Sequence, residues 1–368
     1  SRTCSKGSSA ATGDQPIFDD MPSMILAIVT PSYFPSMRGN SITVQRIESG
    51  LRGQGVRVEV FSLERQDHDA ILAGLLCLHP DVVHGFHATA TGPPVVQAAR
   101  DLGTPSVITL TGTDVNHDLF HPERRTTVLR VLEAAGAIVA FHEVIRGKLT
   151  REVPALLPRV HVIGQALRCN EKRYDLRGRL RLGPQDFVVF QPAGIRRLKS
   201  IPVVIPPLCA LHQRHPHLRY VLAGPIIEPD EGERVQALLR DLPRAFYVGA
   251  LTHDEICAAL RAVDVVVISS LSEGGMSNAV LEAMSKGVAV LASAIEGNGP
   301  VTAESNDGFL FRSEAEFSEK LERLLNDPAL RHPFGRRAMR KIEKDLPLEA
   351  EIGGHLRLYQ SLAVSRGM

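Results

Sequence analysis

The sequence predicts an α/β fold with two doubly wound domains that face each other across a cleft. The chain has 368 residues, which suits two domains of ordinary size. From residue 24 onward, short apolar runs alternate with helix-like stretches, which is typical of parallel sheets covered by helices on both faces. This alternation weakens at residues 168–184 and then restarts. We therefore place a linker at 168–184, between two halves of similar size.

The first half, residues 23–167, contains alternating strands and helices. Its strands are predicted at 25–30, 56–62, 81–86, 106–110, 137–141 and 160–163. Its helices are predicted at 42–52, 68–78, 94–102, 126–135 and 144–152. Because these strands are apolar nearly throughout, we expect them to be buried on both faces.

The second half, residues 185–346, repeats this pattern, and a last helical segment occupies 347–368. Its strands are predicted at 187–191, 219–223, 245–248, 264–269 and 288–292. Its helices are predicted at 203–214, 232–240, 253–262, 278–286, 314–326 and 329–344, followed by a last helix at 348–362. Residues 1–22 are rich in small and polar residues, and we interpret them as a disordered leader.

Composition excludes several classes of protein. Lys plus Arg is 42 and Asp plus Glu is 41, a formal net charge of +1, which argues against nucleic-acid binding through a global basic field. No apolar run reaches the ~18–20 residues of a membrane span. The five cysteines are scattered, without zinc-site spacing, so we expect reduced thiols and a cytoplasmic protein.

Motifs of several enzyme classes are missing from the sequence. There is no G-x-x-x-x-G-K-[ST] phosphate loop, no G-x-G-x-x-G after the first strand, and no G-x-S-x-G elbow. These absences disfavour an ATPase, a dinucleotide oxidoreductase and a serine hydrolase. The fold pattern alone leaves open a two-domain transferase, a periplasmic-type binding protein and a nucleotide-sugar epimerase. The lack of a visible secretion signal counts against the binding protein.

The most informative segment covers residues 269–297. An apolar strand ends there in a polar turn that contains Gly274 and Gly275, and a helix is predicted to begin near Ser277 or Asn278. Glycines allow backbone N–H groups to approach a ligand closely, and a helix N-terminus carries a partial positive charge. The turn therefore suits an anion such as a phosphate.

Two glutamates, Glu273 and Glu282, flank this turn. An anion would repel their carboxylates unless these bind hydroxyl groups, which favours a ligand with both a phosphate and a sugar. From the residues alone, an ordinary strand–turn–helix with solvated glutamates explains the segment equally well.

The same segment resembles the donor-site motif of GT-B glycosyltransferases of family 4, E-G-[FM]-[GS]-x-x-x-L-E-A-M-A-x-G-x-P-V. The matching residues are Glu273-Gly274, Leu281-Glu282-Ala283-Met284 and Gly287-Val288. The family spaces the two glutamates eight positions apart, whereas here Gly275 makes the spacing nine, so we expect the turn to bulge. The likeness covers residues 24–362 and implies the GT-B fold, in which two Rossmann-like domains face a cleft and the last helix returns to the first domain.

This resemblance implies roles for the residues of the segment. The donor sugar would contact Glu273 and the ribose would contact Glu282. The backbone of the turn and helix start would hold the donor diphosphate, which involves Gly274, Gly275, Met276, Ser277 and Asn278.

Upstream, residues 191–199 (QPAGIRRLK) follow the first strand of the second half. They resemble the family's glycine–arginine–lysine loop, which implies that Arg196 and Lys199 neutralise the donor pyrophosphate. Preorganised cations stabilise the negative charge that develops on a leaving diphosphate. The Val248-Gly249 pair resembles a segment whose following loop contacts the nucleobase.

In the first half, Gly39, Asn40 and Ser41 follow the first strand and correspond to the family's glycine-rich acceptor-side loop. Asn40 or Ser41 is a candidate helix cap. His84 and His87 lie at the end of another strand. Positions three apart on a strand point to opposite faces, so we expect no shared metal and interpret one or both as polar lining of the cleft.

Residues 109–116 (TLTGTDVN) end the next strand. The family often has a His-Gly pair here, and that histidine touches the donor sugar near the reaction centre; Thr111 occupies its position. Asp114 is a candidate for orienting a sugar hydroxyl, with a helix cap or turn as the alternative. This run resembles a narrower branch, the glycosyltransferase 1 domain-containing proteins, and bacterial selenosugar synthases share similar features.

Taken together, the resemblance implies a retaining glycosyltransferase of the hexosyltransferase type. It would move a sugar from a nucleoside-diphosphate sugar, with UDP or GDP as the carrier, to an unidentified small-molecule or glycan acceptor. We expect no cofactor and no essential metal. The alternatives are a selenosugar-synthase-like transferase that uses selenophosphate, a non-catalytic nucleotide-sugar-binding protein, and a sugar-nucleotide epimerase.

Overall fold

The computed structural model describes residues 24–35, 39–167, 173–273, 276–299 and 306–364. Within these ranges the chain forms two six-stranded parallel sheets, each flanked by helices. The predicted α/β fold with two doubly wound units is confirmed. The predicted leader at 1–22 lies outside the described residues, as do residues 168–172 of the predicted linker.

The first sheet has the strand order β2-β1-β3-β4-β5-β6. Its strands are β1 (Ile25–Thr30), β2 (Arg57–Ser62), β3 (Val82–Phe86), β4 (Ser106–Thr109), β5 (Ala137–Ala140) and β6 (Val160–Val162). The helices of this half are α1 (Gly39–Arg52), α2 (His68–Leu78), α3 (Gly92–Leu102), α4 (Thr113–Asn116), α5 (Pro122–Ala134) and α6 (Glu143–Glu152).

The second sheet has the order β12-β11-β10-β7-β8-β9. Its strands are β7 (Phe187–Pro192), β8 (Leu218–Ala223), β9 (Ala245–Tyr247), β10 (Val265–Ile268), β11 (Ala289–Ser293) and β12 (Phe309–Phe311). The remaining helices are α7 (Leu176–Leu180), α8 (Ile205–Arg214), α9 (Pro229–Asp241), α10 (His253–Ala259), α11 (Asn278–Ser285), α12 (Glu314–Asn326), α13 (Pro328–Asp345) and α14 (Leu348–Val364).

The strand orders explain where a ligand can bind. In each sheet the chain reverses its direction of travel across the sheet once, between β1 and β3 in the first and between β7 and β10 in the second. Loops on either side of such a reversal point diverge and leave a crevice outside the carboxyl ends of the strands. The loops after β7 and β10 are the ones that carry most of the predicted donor-binding residues.

The central strands are apolar along their length, and successive side chains build a core on both faces of each sheet. In the second sheet, Val189 and Val265 pack into one helical layer. Their neighbours Val188 and Val266 pack into the other layer. Continuous apolar strands are therefore needed here, because neither face of the sheet is exposed to water.

Some elements differ from the sequence-based expectation. The three-residue strand β12 was not predicted, because a Phe-Leu-Phe run is too short to show a period of its own. The short helix α7 lies inside the predicted linker. Helix α1 begins at Gly39, so Asn40 and Ser41 lie within its first turn, and their predicted role as its cap is wrong.

The last helix, α14, packs against the first sheet and α1. Ile352, Leu358 and Tyr359 share a buried cluster with residues of β1 and α1. The Arg46 guanidinium of α1 donates to both carboxylate oxygens of Glu351, at 2.7 and 2.8 Å. Where the chain crosses between the two halves, Leu346 lies against Gly164, so that a Cβ placed on Gly164 would meet its side chain at 3.1 Å.

The described cysteines depart from the expected set of reduced thiols. Cys77 and Cys209 carry free thiols. Cys257, which is buried in α10, is disulfide-bonded. The expectation is therefore wrong for Cys257, because spacing along the sequence does not reveal which thiols the fold brings together. Across the described ranges, no helix is both long enough and apolar enough to cross a bilayer.

The buried ion pair between α1 and α14 yields a stability prediction. We expect Glu351→Gln to lower the free energy of unfolding by about 3–5 kcal/mol, because it leaves the Arg46 charge buried without its counterion. The measurement is urea denaturation followed by circular dichroism. The matched control is Glu349→Gln, an exposed position on the same helix, and equal unfolding midpoints for the two variants would contradict the prediction.

Candidate functional site

The candidate site lies at the carboxyl ends of β7 and β10. The loop after β7 carries Arg196 and Lys199, and a short 3-10 helix spans Arg197–Lys199. The loop after β10 begins at Ser269 and contains Glu273. A small pocket between the two loops is lined by polar and apolar groups, among them Gln191, Lys199, Ser269, Ser270 and Ser277.

A chain of buried hydrogen bonds fixes the two loops relative to each other. The Tyr220 hydroxyl donates to Gln191 Oε1 at 2.7 Å, and Gln191 Nε2 donates to Ser269 Oγ at 2.8 Å. Ser269 Oγ in turn donates to the backbone carbonyl of Lys199 at 2.8 Å. A fully satisfied buried network of this kind makes the local geometry rigid. Sequence reasoning did not assign a role to Gln191 or Tyr220, although a glutamine at the end of an apolar strand is a visible signal.

Lys199 and Glu273 form an ion pair at the centre of the site. Lys199 Nζ contacts Glu273 Oε1, and the hydroxyl of Ser270 donates to the same oxygen at 2.6 Å. Burial by itself would raise the pKa of the Glu273 carboxyl. The Lys199 ammonium, the hydrogen bonds from Lys199 and Ser270 and the Arg196 charge outweigh this effect and hold the pKa below its usual value. Glu273 is therefore an anion held beside two cations.

Helix α11 points its N-terminus at the same loops. Ser277 occupies the N-cap position but makes no side-chain capping hydrogen bond among the described residues, so the first amides of α11 are available to an anion. Met276 packs into the apolar core of the second half, which leaves only its backbone for a ligand. Gly274 and Gly275, including the predicted bulge, lie outside the described residues.

Arg196 and its neighbour Arg197 point in different directions. Arg196 is half-buried, and its Nε atom is buried without a hydrogen-bond partner among the described residues. The Arg197 side chain is 75% exposed and lies 3.9 Å from Asp230. Of the two adjacent arginines, only Arg196 adds its charge to the surroundings of Glu273.

Glu282 lies one turn inside α11 and is nearly fully buried. Its Oε1 atom is 3.2 Å from Nδ1 of His253, the first residue of α10. Gly249 precedes that helix, has a φ of +74° and accepts a hydrogen bond from the Gly224 amide at 2.8 Å. These contacts bring the loops after β8 and β9 toward Glu282.

Residues of the first half reach across the cleft to the Glu273 loop. Asn116 Nδ2 donates to the Glu273 carbonyl at 2.9 Å. Lys148 Nζ donates to Asn116 Oδ1 at 2.7 Å and lies 3.3 Å from the Glu296 carboxylate of the second half. Sequence reasoning missed Lys148 and Glu296, since a contact between side chains of two domains leaves no trace in local spacing.

A second bridge across the cleft involves Asn278. Its Oδ1 atom accepts from Gln165 Nε2, and its Nδ2 group donates to the Gly39 carbonyl at 3.5 Å. The first turn of α1 thus lies next to the start of α11. Asn40 is half-buried there, whereas Ser41 is buried and donates to Ser32 Oγ at 3.0 Å. The Ser41 side chain holds α1 against the loop after β1, and the acceptor-side role of Gly39, Asn40 and Ser41 stays a prediction.

Asp114 does not face the cleft. It is fully buried, and its carboxylate accepts hydrogen bonds from the backbone amides of Ala88, Thr111, Gly112 and Val115 at 2.7–3.2 Å. The predicted contact with a sugar hydroxyl is wrong, because backbone amides of two loops already donate to this carboxylate. The alternative role, an aspartate that forms a cap or turn, applies. Thr111 is half-buried at the carboxyl end of β4.

The two histidines of β3 have different environments. His84 is fully buried between Tyr359 and Thr109, with both ring nitrogens hydrogen-bonded at 2.7 Å. Its predicted place in the cleft lining is wrong, because α14 covers this face of the sheet. His87 is half-buried at the strand end with a φ of +84°, and its Nδ1 accepts from the Ala90 amide. Over the residues that the structure describes, no group of three or more His, Cys, Asp or Glu is arranged to hold a metal ion.

Comparisons with known proteins agree with this architecture. Residues 188–327 match the family model of glycosyl transferases group 1. The chain is 27% identical over 262 residues to the glycosyltransferase 1 domain-containing protein 1 of Xenopus tropicalis, an alignment that covers 69% of this chain and 75% of the relative.

Solved structures share the fold. Two structures of Anabaena HepE, one in complex with UDP and glucose and one with UDP-glucose, superpose with a TM-score of 0.76 at 16% and 17% identity. Each superposition covers 92% of this chain and 100% of HepE. Sucrose-phosphate synthase of Thermosynechococcus elongatus superposes with a TM-score of 0.77 at 18% identity, over 93% of this chain and 100% of that chain.

The two facing sheets and these similarities define a glycosyltransferase with the GT-B fold. The match to the glycosyl transferases group 1 model lies within the second domain. The narrower resemblance to the glycosyltransferase 1 domain-containing proteins is confirmed by the Xenopus relative.

The Lys199–Glu273 pair leads to a pH prediction. A carboxyl whose folded pKa is depressed contributes stability above its unfolded pKa and loses it as the pH falls through the folded pKa. In Lys199→Met the cation is gone, burial dominates, and the ionised carboxylate becomes unfavourable. We therefore expect wild type to exceed Lys199→Met in free energy of unfolding near neutral pH, and this difference to shrink as the pH falls through the depressed pKa of Glu273 in wild type.

Urea denaturation at a series of pH values measures this difference. The control is Lys199→Arg, which keeps the charge and should follow wild type. A difference between wild type and Lys199→Met that does not change with pH would show that the pair does not set the ionisation of Glu273.

Proposed function

We propose that the protein is a retaining glycosyltransferase that takes its sugar from a nucleoside-diphosphate sugar, with UDP or GDP as the carrier. The observation that carries this proposal is the grouping of Lys199, Arg196 and the amides at the start of α11 around Glu273, at the carboxyl ends of β7 and β10. The cations and amides suit a diphosphate, and the ionised carboxylate suits a sugar hydroxyl.

The diphosphate would lie between Arg196 and the N-terminus of α11. The Nε atom of Arg196, which has no partner in the part of the chain that the structure describes, is a donor that a phosphate oxygen would satisfy. Lys199 would bridge the diphosphate and Glu273, since an ammonium has three N–H donors. The nucleoside would extend toward Gly249, and its ribose hydroxyls would donate to the Glu282 carboxylate beside His253.

Catalysis would depend on stabilising the leaving nucleoside diphosphate. Negative charge grows on the diphosphate as the bond to the sugar breaks, and Arg196, Lys199 and the α11 amides would be already oriented toward it. For a retaining transfer we favour a same-face displacement in which the departing phosphate helps to take the acceptor proton. Closure of the two domains would exclude water and limit hydrolysis of the donor.

The acceptor would approach from the first domain. The start of α1 at Gly39 and Asn40, the half-buried His87 and the strand end at Thr111 are candidates for this surface. We propose a small molecule or a glycan as acceptor, and neither a nucleic-acid partner nor a cofactor is part of the proposal. A cytoplasmic location stays a prediction.

UDP-glucose is a suitable first probe, because Anabaena HepE, which has the same fold, forms a complex with it. A thermal-shift screen against UDP- and GDP-sugars tests the proposal directly. Stabilisation by at least one of them supports it, and the absence of stabilisation by every member of the panel contradicts it.

Two cations are expected to carry diphosphate affinity. Arg196→Ala and Lys199→Ala should each weaken binding of the nucleotide sugar by about 1–3 kcal/mol, the scale of a lost charge-assisted hydrogen bond. Isothermal titration calorimetry measures the change. Arg197→Ala is the matched control, because this neighbouring arginine is exposed and points away from the site. If all three variants bind as wild type does, the assignment of the diphosphate site fails.

Glu282 is expected to act on the ribose alone. Glu282→Gln should weaken binding of UDP by about 1–3 kcal/mol through the lost charged hydrogen bonds. The same variant should bind inorganic pyrophosphate, which has no ribose, as wild type does. Calorimetry with the two ligands separates these effects. Equal losses for UDP and pyrophosphate would indicate that Glu282 shapes α11 rather than contacts the nucleoside.

A further inference from the structure

His142 lies at the carboxyl end of β5, where that strand runs into α6. Strands β4 and β5 pair with Thr109 opposite Val139. His142 follows the end of β5 by two residues and Gly112 follows the end of β4 by three, so both lie just beyond the carboxyl ends of neighbouring strands. The residue occupies the N-cap position of α6, but its side chain makes no capping hydrogen bond there among the described residues.

The His142 side chain is buried without satisfying its polar atoms. The residue is 7% exposed, and neither ring nitrogen has a hydrogen-bond partner among the described residues. Leaving a buried donor and a buried acceptor unpaired is costly, so native structures pair such groups with protein, ordered water or a ligand. By contrast, the buried ring of His84 uses both of its nitrogens within the core.

The surroundings of His142 indicate which chemistry would pair with it. Burial lowers the pKa of His142, and the Glu296 carboxylate from the second domain offsets this only in part. The ring is therefore neutral near pH 7, with one N–H donor and one acceptor nitrogen. A hydroxyl group can both donate and accept. An anion would meet an uncharged ring and the negative charge of Glu296, so it is a poorer match.

A series of contacts leads from the carboxylate that acts on His142 to the loop of Glu273. Its neighbour Glu296 lies 3.3 Å from Lys148, which donates to Asn116, and Asn116 donates to the Glu273 carbonyl. Two side chains thus connect the surroundings of His142 with the residue proposed to contact the donor sugar.

We infer that His142 is a sugar-contacting residue, whose neutral ring exchanges hydrogen bonds with a hydroxyl of the sugar carried by the nucleoside diphosphate. This inference rests on the proposed function, because it requires a nucleotide sugar in the cleft. It adds a contact from the first domain to the donor sugar.

The test compares His142→Leu with wild type, using UDP-glucose and UDP as probes. We expect His142→Leu to weaken UDP-glucose binding by about 5- to 10-fold, the effect of about one lost hydrogen bond, and to leave UDP binding unchanged. Calorimetry gives the affinities. The matched control is His161→Leu, which removes an exposed histidine of β6 in the same domain and should change neither affinity.

A stability measurement separates substrate contact from a structural role. Because leucine removes two unpaired polar atoms from a buried position, the thermal midpoint of His142→Leu without nucleotide should equal or exceed that of wild type. A structural hydrogen bond would instead make the midpoint fall by several degrees, and that result would overturn the inference.

The binding results distinguish a failure of the role inferred for His142 from a failure of the proposed function. Equal UDP-glucose affinity in wild type and His142→Leu, or an equal loss for UDP-glucose and UDP, overturns the inference and leaves the proposed function standing. If wild type binds no nucleotide sugar of the thermal-shift panel, the proposed function fails, and the role of His142 fails with it.

Discussion

The site depends on one interaction, the ion pair between Lys199 and Glu273. These residues are 74 positions apart in the chain and follow the two strands between which the second sheet reverses its order. The backbone of Lys199 is held by the buried chain from Tyr220 through Gln191 to Ser269. Because the Glu273 carboxyl is largely buried, it depends on the neighbouring cations to remain ionised. The sheet thus positions the loops, the buried hydrogen bonds hold them, and the ion pair keeps an anion beside two cations.

The cleft is also shaped from the opposite domain. Asn116 and Lys148 reach the Glu273 loop and Glu296, while Gln165 contacts Asn278 at the start of α11. Each of these contacts joins a residue of the first half to a residue of the second half. A change in the relative position of the domains therefore acts on the same loop that holds Glu273, which couples the shape of the cleft to the chemistry proposed for it.

The sequence predicts features that depend on neighbouring residues, but not those that depend on contacts between residues far apart in the chain. Apolar strands and glycine-containing loops are local, so the two sheets and the loops of Arg196, Lys199 and Glu273 could be predicted. The burial of His84 could not, because Tyr359 and the helix that covers it come 275 residues later. Asp114 shows a related limit, since its partners are backbone amides from two loops, and backbone amides leave no sequence signature.

The contact between Gly164 and Leu346 has a mechanical consequence. Gly164 lies shortly before the chain enters the second half and Leu346 lies just before the helix that returns to the first half, so the two connections begin where these residues touch. Two neighbouring connections between two domains act as one hinge. They permit rotation about that point, but they resist sliding and separation of the domains. Helix α14, held by the buried Arg46–Glu351 pair, fixes the far end of this connection. A rotation of one domain about this hinge would therefore widen the cleft on the side away from Leu346.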